Sequence, residues 1–110
     1  MTAIVDAMTK IRVVVHLGFD DESDKALQVA WEVAQKLLDE GVWVELIPDH
    51  VILTDLLGNE WAELPKIEIN GWIAVIGSAP DPDELYTLIM SAVTELKQEN
   101  VKQRQAIMST

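Results

Sequence analysis

Two short β-branched runs bracket one long amphipathic stretch, and this arrangement constrains the fold more than any other feature of the chain. Ile11-Arg-Val-Val-Val-His-Leu17 is stopped by Gly18, and Val42-Trp-Val-Glu-Leu-Ile47 is stopped by Pro48-Asp49. Bounded runs of this kind read as buried strands. Between them, about Ser23 to Glu40 reads as a helix. Lys25, Gln28, Glu32, Gln35, Lys36 and Asp39 form its polar face. Leu27, Ala30, Trp31, Ala34 and Leu38 form an apolar stripe, which Ala26, Val29, Val33 and Leu37 widen. A face this wide predicts packing on a sheet, with Trp31 in the core. The acids of Phe19-Asp-Asp-Glu-Ser-Asp24 precede the helix, where a carboxylate caps free N–H groups and meets the positive end of the dipole. Gly41 suits the C-terminal stop. Strand, helix and strand make a βαβ unit. Its crossover is right-handed and its strands are parallel.

The second half changes pattern. Ile52, Leu53, Leu56 and Leu57 suggest a short helix within 51–62. Lys66-Ile-Glu-Ile-Asn70 alternates with period two, Asn70-Gly71 is a hairpin turn signal, and Trp72–Gly77 is the return strand. Asp81 suits an N-cap, Pro82 the first helical position and Glu84 the third. Leu85, Leu88, Ile89, Ala92, Val93 and Leu96 supply the buried stripe of a helix reaching about Gln105. The fold class is α/β: β-α-β-(α)-β-β-α, a central four-stranded mixed sheet flanked by helices. Residues 1–10 read as a lead-in, 11–98 as the domain, and 99–110 as a helix extension or a tail.

That order resembles the thioredoxin fold. The local likeness is best in Leu64-Pro65-Lys-Ile-Glu-Ile-Asn-Gly71, Trp72–Gly77 and Ala79-Pro-Asp-Pro-Asp-Glu-Leu85. In that family a cis-proline opens the third strand, a tight hairpin follows, and a glycine leads to the last helix. The likeness covers roughly 11–98. The family's Cys-x-x-Cys or Cys-x-x-Ser site is replaced here by Gly18-Phe-Asp-Asp-Glu-Ser-Asp24. The resemblance therefore implies the shape without the redox chemistry, because a serine hydroxyl does not exchange disulfides. It also implies a groove between the 18–24 loop and Pro65, where the backbone of Leu64 would meet an extended peptide or a glutathione-like thiol.

Composition narrows the function classes. The 110 residues include no cysteine, which removes thiolate catalysis and Cys-ligated metals. Eight Lys+Arg stand against 19 Asp+Glu, for a net charge of −11. Nucleic-acid backbones and anionic membrane surfaces are therefore poor partners. No apolar run approaches the roughly 18–20 residues of a membrane span. The first ten residues lack the pattern of a signal peptide, so the expected location is the cytoplasm.

Three sets of residues are candidates for function. Gly18, Phe19, Asp20, Asp21, Ser23, Leu64 and Pro65 would line the groove. The parallel strands bring His16, Asp20, Asp21 and Glu22 toward Asp49 and His50, which makes His16, Asp20, Asp49 and His50 weak metal candidates without recognisable ligand spacing. Trp61 and Trp72 are candidate partner anchors, since tryptophan is enriched at interface hot spots. No motif indicates a catalytic residue or a cofactor. The expected function is a redox-inactive thioredoxin-like module that binds protein non-covalently, as a homodimer. The alternative is a small-ligand or metal-binding protein, or an enzyme, using the 18–24/Pro65 groove.

Overall fold

The computed structural model describes residues 9–51 and 63–108. The helix expected within 51–62, and Trp61 with it, lies outside the described residues apart from Val51.

Strand β1 (Thr9–Leu17) is central and pairs in parallel with β2 (Val42–His50). Helix α1 (Asp21–Asp39) connects them, as the βαβ reading requires. On its other side β1 pairs antiparallel with β3 (Lys66–Ile69), which pairs antiparallel with β4 (Trp72–Ile76). Among the described residues the sheet order is β2-β1-β3-β4, so β2 and β4 are its edges. Helix α2 (Pro82–Met108) closes the described chain. The expected α/β class and four-stranded mixed sheet are present. Four boundaries move outward: β1 begins at Thr9, α1 at Asp21, β2 runs through Pro48 to His50, and α2 continues past Gln105.

The core lies on one face of the sheet. Ile11, Val13, Val15 and Leu17 of β1 and Ile67 and Ile69 of β3 are fully or almost fully buried. They pack with Leu85, Ile89, Ala92 and Val93 of α2 and the buried side of α1. Each large side chain among them contributes about 1.5–3 kcal/mol by leaving water. Helix α1 corrects the expected stripe. Its buried apolar residues are Ala26, Val29, Ala30, Val33, Ala34 and Leu37, whereas Leu38 and Trp31 are exposed. The side chains read as widening the stripe are its centre. Trp31 sits on its flank, three and four residues from Gln28 and Gln35.

The Asn70-Gly71 hairpin forms as expected, with both residues at positive φ, 51° and 93°. Asn70 also extends the β1 ladder: its N–H donates to the Arg12 carbonyl (2.9 Å) and its Oδ1 accepts from the Arg12 N–H (3.0 Å). The two helices are tied by Tyr86, whose hydroxyl donates to Glu40 while Lys36 stands over its ring, 4.7 Å from the centroid. The hydrogen bond to Glu40, with smaller contributions from desolvation and charge, holds the Tyr86 phenol above its ordinary pKa. Among the described residues no helix is long and apolar enough to cross a membrane.

Candidate functional site

The residues expected to line the groove do meet at the C-terminal end of β1, but most of them are engaged with one another. Asp20 is the N-cap of α1, and its Oδ1 accepts from the Ser23 N–H at 2.8 Å. Hydrogen bonding from the Ser23 side chain, and next from its backbone, holds the Asp20 carboxyl below the usual carboxylate range. Ser23 is fully buried, and its Oγ accepts from the Gly18 N–H at 2.9 Å. This is how a buried hydroxyl avoids an unmet hydrogen bond. A Cβ added at Gly18 would touch Leu64 Cδ1 and Ser23 Oγ, each at 3.6 Å, so the loop and Leu64 are already in contact range. Pro65 is buried, the Leu64–Pro65 peptide is cis, and the Pro65 carbonyl accepts from the Gly77 N–H at 2.8 Å. Asp21 lies in the exposed first turn of α1. Glu22 reaches across to accept from the Ala79 N–H at 2.8 Å. Phe19 is 79% exposed and stacks on His50, with centroids 5.4 Å apart.

The weak metal candidates separate. His16 and Asp49 are together, with Nδ1 and Oδ2 2.8 Å apart. The other ring nitrogen, Nε2, is 2.7 Å from Oε1 of Glu68 on β3. One imidazole thus spans β2, β1 and β3. Both contacts are donated together only by a doubly protonated ring, since neutral imidazole donates from one nitrogen. His50 instead faces Phe19, and Asp20 is committed to its cap. Among the described residues no group of three or more His, Asp or Glu side chains is placed to hold a metal ion. Glu68 was not singled out in the sequence. Its alternation with Ile67 and Ile69 puts it on the face away from the core, but only the β1–β3 register sets it beside His16.

The exposed apolar surface is the feature that sequence reasoning located least well. Trp72 is 43% exposed on edge strand β4, beside exposed Ile73 and Ile76. At the opposite edge, Trp31 of α1 and Trp43 of β2 are 57% and 53% exposed, and Leu38 is exposed with them. Two adjoining clefts run between α1 and β2. One, of about 480 Å³, is lined by Leu27, Trp31, Leu46 and Pro48 among others, and the second, of about 300 Å³, by Trp31, Leu38, Trp43 and Val44. The signal in the sequence was the spacing of Trp31 from Gln28 and Gln35, which puts it at the border of the two helix faces. Compared with family models, curated proteins and solved structures, the chain matches none.

Proposed function

We propose that this protein is a redox-inactive, thioredoxin-like binding and assembly module that acts by non-covalent protein–protein contact, as a homodimer. The exposure of Trp31 and Trp43 on one flank, around an apolar cleft, is the observation that carries the reading. In a chain with one Phe and one Tyr, large aromatic area is scarce, and here much of it faces outward. Indoles placed in this way are typical anchors of protein interfaces. The element order and the position of Pro65 at the start of β3 support the thioredoxin-like part of the reading. The lack of cysteine supports its redox-inactive part.

The magnitudes fit association. Burying the exposed half of one indole is worth on the order of 3 kcal/mol at about 25 cal/mol per Å². Two such rings per copy give a symmetric dimer about 12 kcal/mol, within the ~4–15 kcal/mol that association costs in lost freedom. Further contacts must supply the surplus.

Sedimentation velocity from low micromolar to near-millimolar protein tests the proposal. The expected result is a concentration-dependent shift to twice the monomer mass. The double variant Trp31→Gln/Trp43→Gln should stay monomeric with an unchanged far-ultraviolet circular dichroism spectrum. A wild-type chain that remains monomeric throughout would sink the homodimer.

A further inference from the structure

We infer that the dimer forms by antiparallel pairing of β2 with β2 of a second copy, with the two-fold axis at Val44. The inference rests on the self-association reading above and adds its edge and register. Among the described residues the sheet has two edges. Strand β4 has five residues, and its ladder with β3 is interrupted at Ile67/Glu68. Irregularities of this kind blunt an edge. Strand β2 has nine residues and keeps unbroken register with β1 from Thr9/Val42 to Leu17/His50. It is the long, regular edge that templates another strand.

Charge selects a second copy as the occupant. The chain carries −11, yet among the described residues lining the two α1–β2 clefts Asp24 alone is charged. A basic partner would find almost no carboxylate there. A partner carrying acids into the contact would bury them among lining residues that include no cation to offset them. Another copy brings an equally uncharged flank, so pairing buries apolar surface without opposing acids. Glu45, the remaining acid near the middle of β2, is already accompanied by Lys10 and Arg12 at 3.8 and 3.7 Å.

Pro48 then fixes the register. A proline in an edge strand takes a position whose nitrogen points away from the neighbouring strand. Such positions alternate in a parallel pair, so Val42, Val44 and Leu46 also direct their backbone N–H and C=O groups outward. Centring the axis on Val44 pairs Val44 with its copy and Val42 with Leu46, so the outward donors of Val42, Val44 and Leu46 are all used and Pro48 stays outside. It also sets Glu45 opposite Trp43. Centring on Glu45 would place two carboxylates at the closer cross-strand spacing of about 4.5 Å and oppose Pro48 to Val42. Centring on Leu46 would oppose Pro48 to Val44. In the Val44 register the sheet continues across the axis, and the two α1 helices lie side by side with Trp31 and Leu38 between them.

The absence of cysteine makes the test free of background. Val44→Cys, Glu45→Cys and Trp72→Cys are oxidised separately and run on non-reducing gels, with wild-type sedimentation alongside. The expected result is a cross-linked dimer for Val44→Cys, forming at least an order of magnitude faster than for the other two. Hydrogen-bonded cross-strand residues lie about 5.5 Å apart at Cα, within disulfide reach. Faster linking of Glu45→Cys overturns the register. Faster linking of Trp72→Cys overturns the edge. In both cases a wild-type dimer leaves self-association standing. A wild-type monomer removes the inference together with the reading beneath it.

Discussion

Glu68 Oε1 lies 2.7 Å from Nε2 of His16, joining β3 to β1 on the sheet face away from the core. The second ring nitrogen meets Asp49, so the imidazole carries two carboxylates of unequal setting. Glu68 is the less exposed of the two. Hydrogen bonds to charged partners gain strength as water is excluded, while exposed pairs are worth little. Glu68→Ala should therefore lower stability by about 1–2 kcal/mol, and Asp49→Ala by less than about 1 kcal/mol. Urea unfolding at neutral pH measures both. Equal or reversed losses would show that the two contacts do not differ in this way.

Ser23 is predicted to matter as a hydrogen-bonding group and not as a nucleophile. It is fully buried, and its Oγ receives the Gly18 N–H. Ser23→Ala leaves that N–H without its partner and should cost about 1–3 kcal/mol. Ser23→Cys keeps the shape with a weaker acceptor and should fall between wild type and alanine. Thermal unfolding of the three proteins ranks them. An alanine variant as stable as wild type would remove the role given to this hydroxyl.

The sequence made the scaffold readable for physical reasons that differ from those governing the sites. The βαβ unit and the Asn70-Gly71 hairpin depend on short-range patterns: β-branched runs, a 3.6-residue period and a two-residue turn that needs positive φ. Asp20 as the cap follows from a local hydrogen bond spanning three residues. The partners of His16 depend instead on register between strands distant in sequence, which residue patterns do not encode. The residue pattern misplaces Trp31 because apolar residues occupy more of the α1 circumference than the sheet can cover. Periodicity marks the border of such a helix poorly, so the residue pattern puts Leu38 and Trp31 in the stripe and Val33 and Leu37 at its margin. Pro48 reads as a terminator because proline is costly inside a sheet, yet β2 is an edge strand and tolerates it.

Asp20 should give the protein an acid-sensitive increment of stability. Its carboxyl is held below the ordinary value of 3.8 by the hydrogen bonds from Ser23. The folded state therefore favours the ionised form. The contribution is present in full above the unfolded value and disappears as pH falls through the lower folded one. Asp20→Asn keeps an acceptor at the cap and does not titrate. Wild type should exceed this variant in melting temperature at pH 7, with the gap narrowing as pH falls below about 4. A gap that stays constant from pH 7 to pH 2 would separate Asp20 from the acid response.

Two glycines should respond oppositely to the same added methyl group. Among the described residues nothing lies within 4 Å of a Cβ added at Gly71, so its constraint is the φ of 93°. The two-residue hairpin needs positive φ at both of its central residues, and Asn70 tolerates this better than alanine does. Gly71→Ala should cost about 1–2 kcal/mol. Gly18 shows no positive φ, and its nearest neighbours would be at 3.6 Å, an ordinary contact. Gly18→Ala should be neutral or stabilise by up to about 1 kcal/mol, because alanine narrows the unfolded ensemble. Denaturant midpoints of both variants decide the matter. A large loss at Gly18 would mean that the loop requires its glycine for a reason other than backbone conformation, with the 3.6 Å contacts to Leu64 and Ser23 tighter than an added methyl group can share.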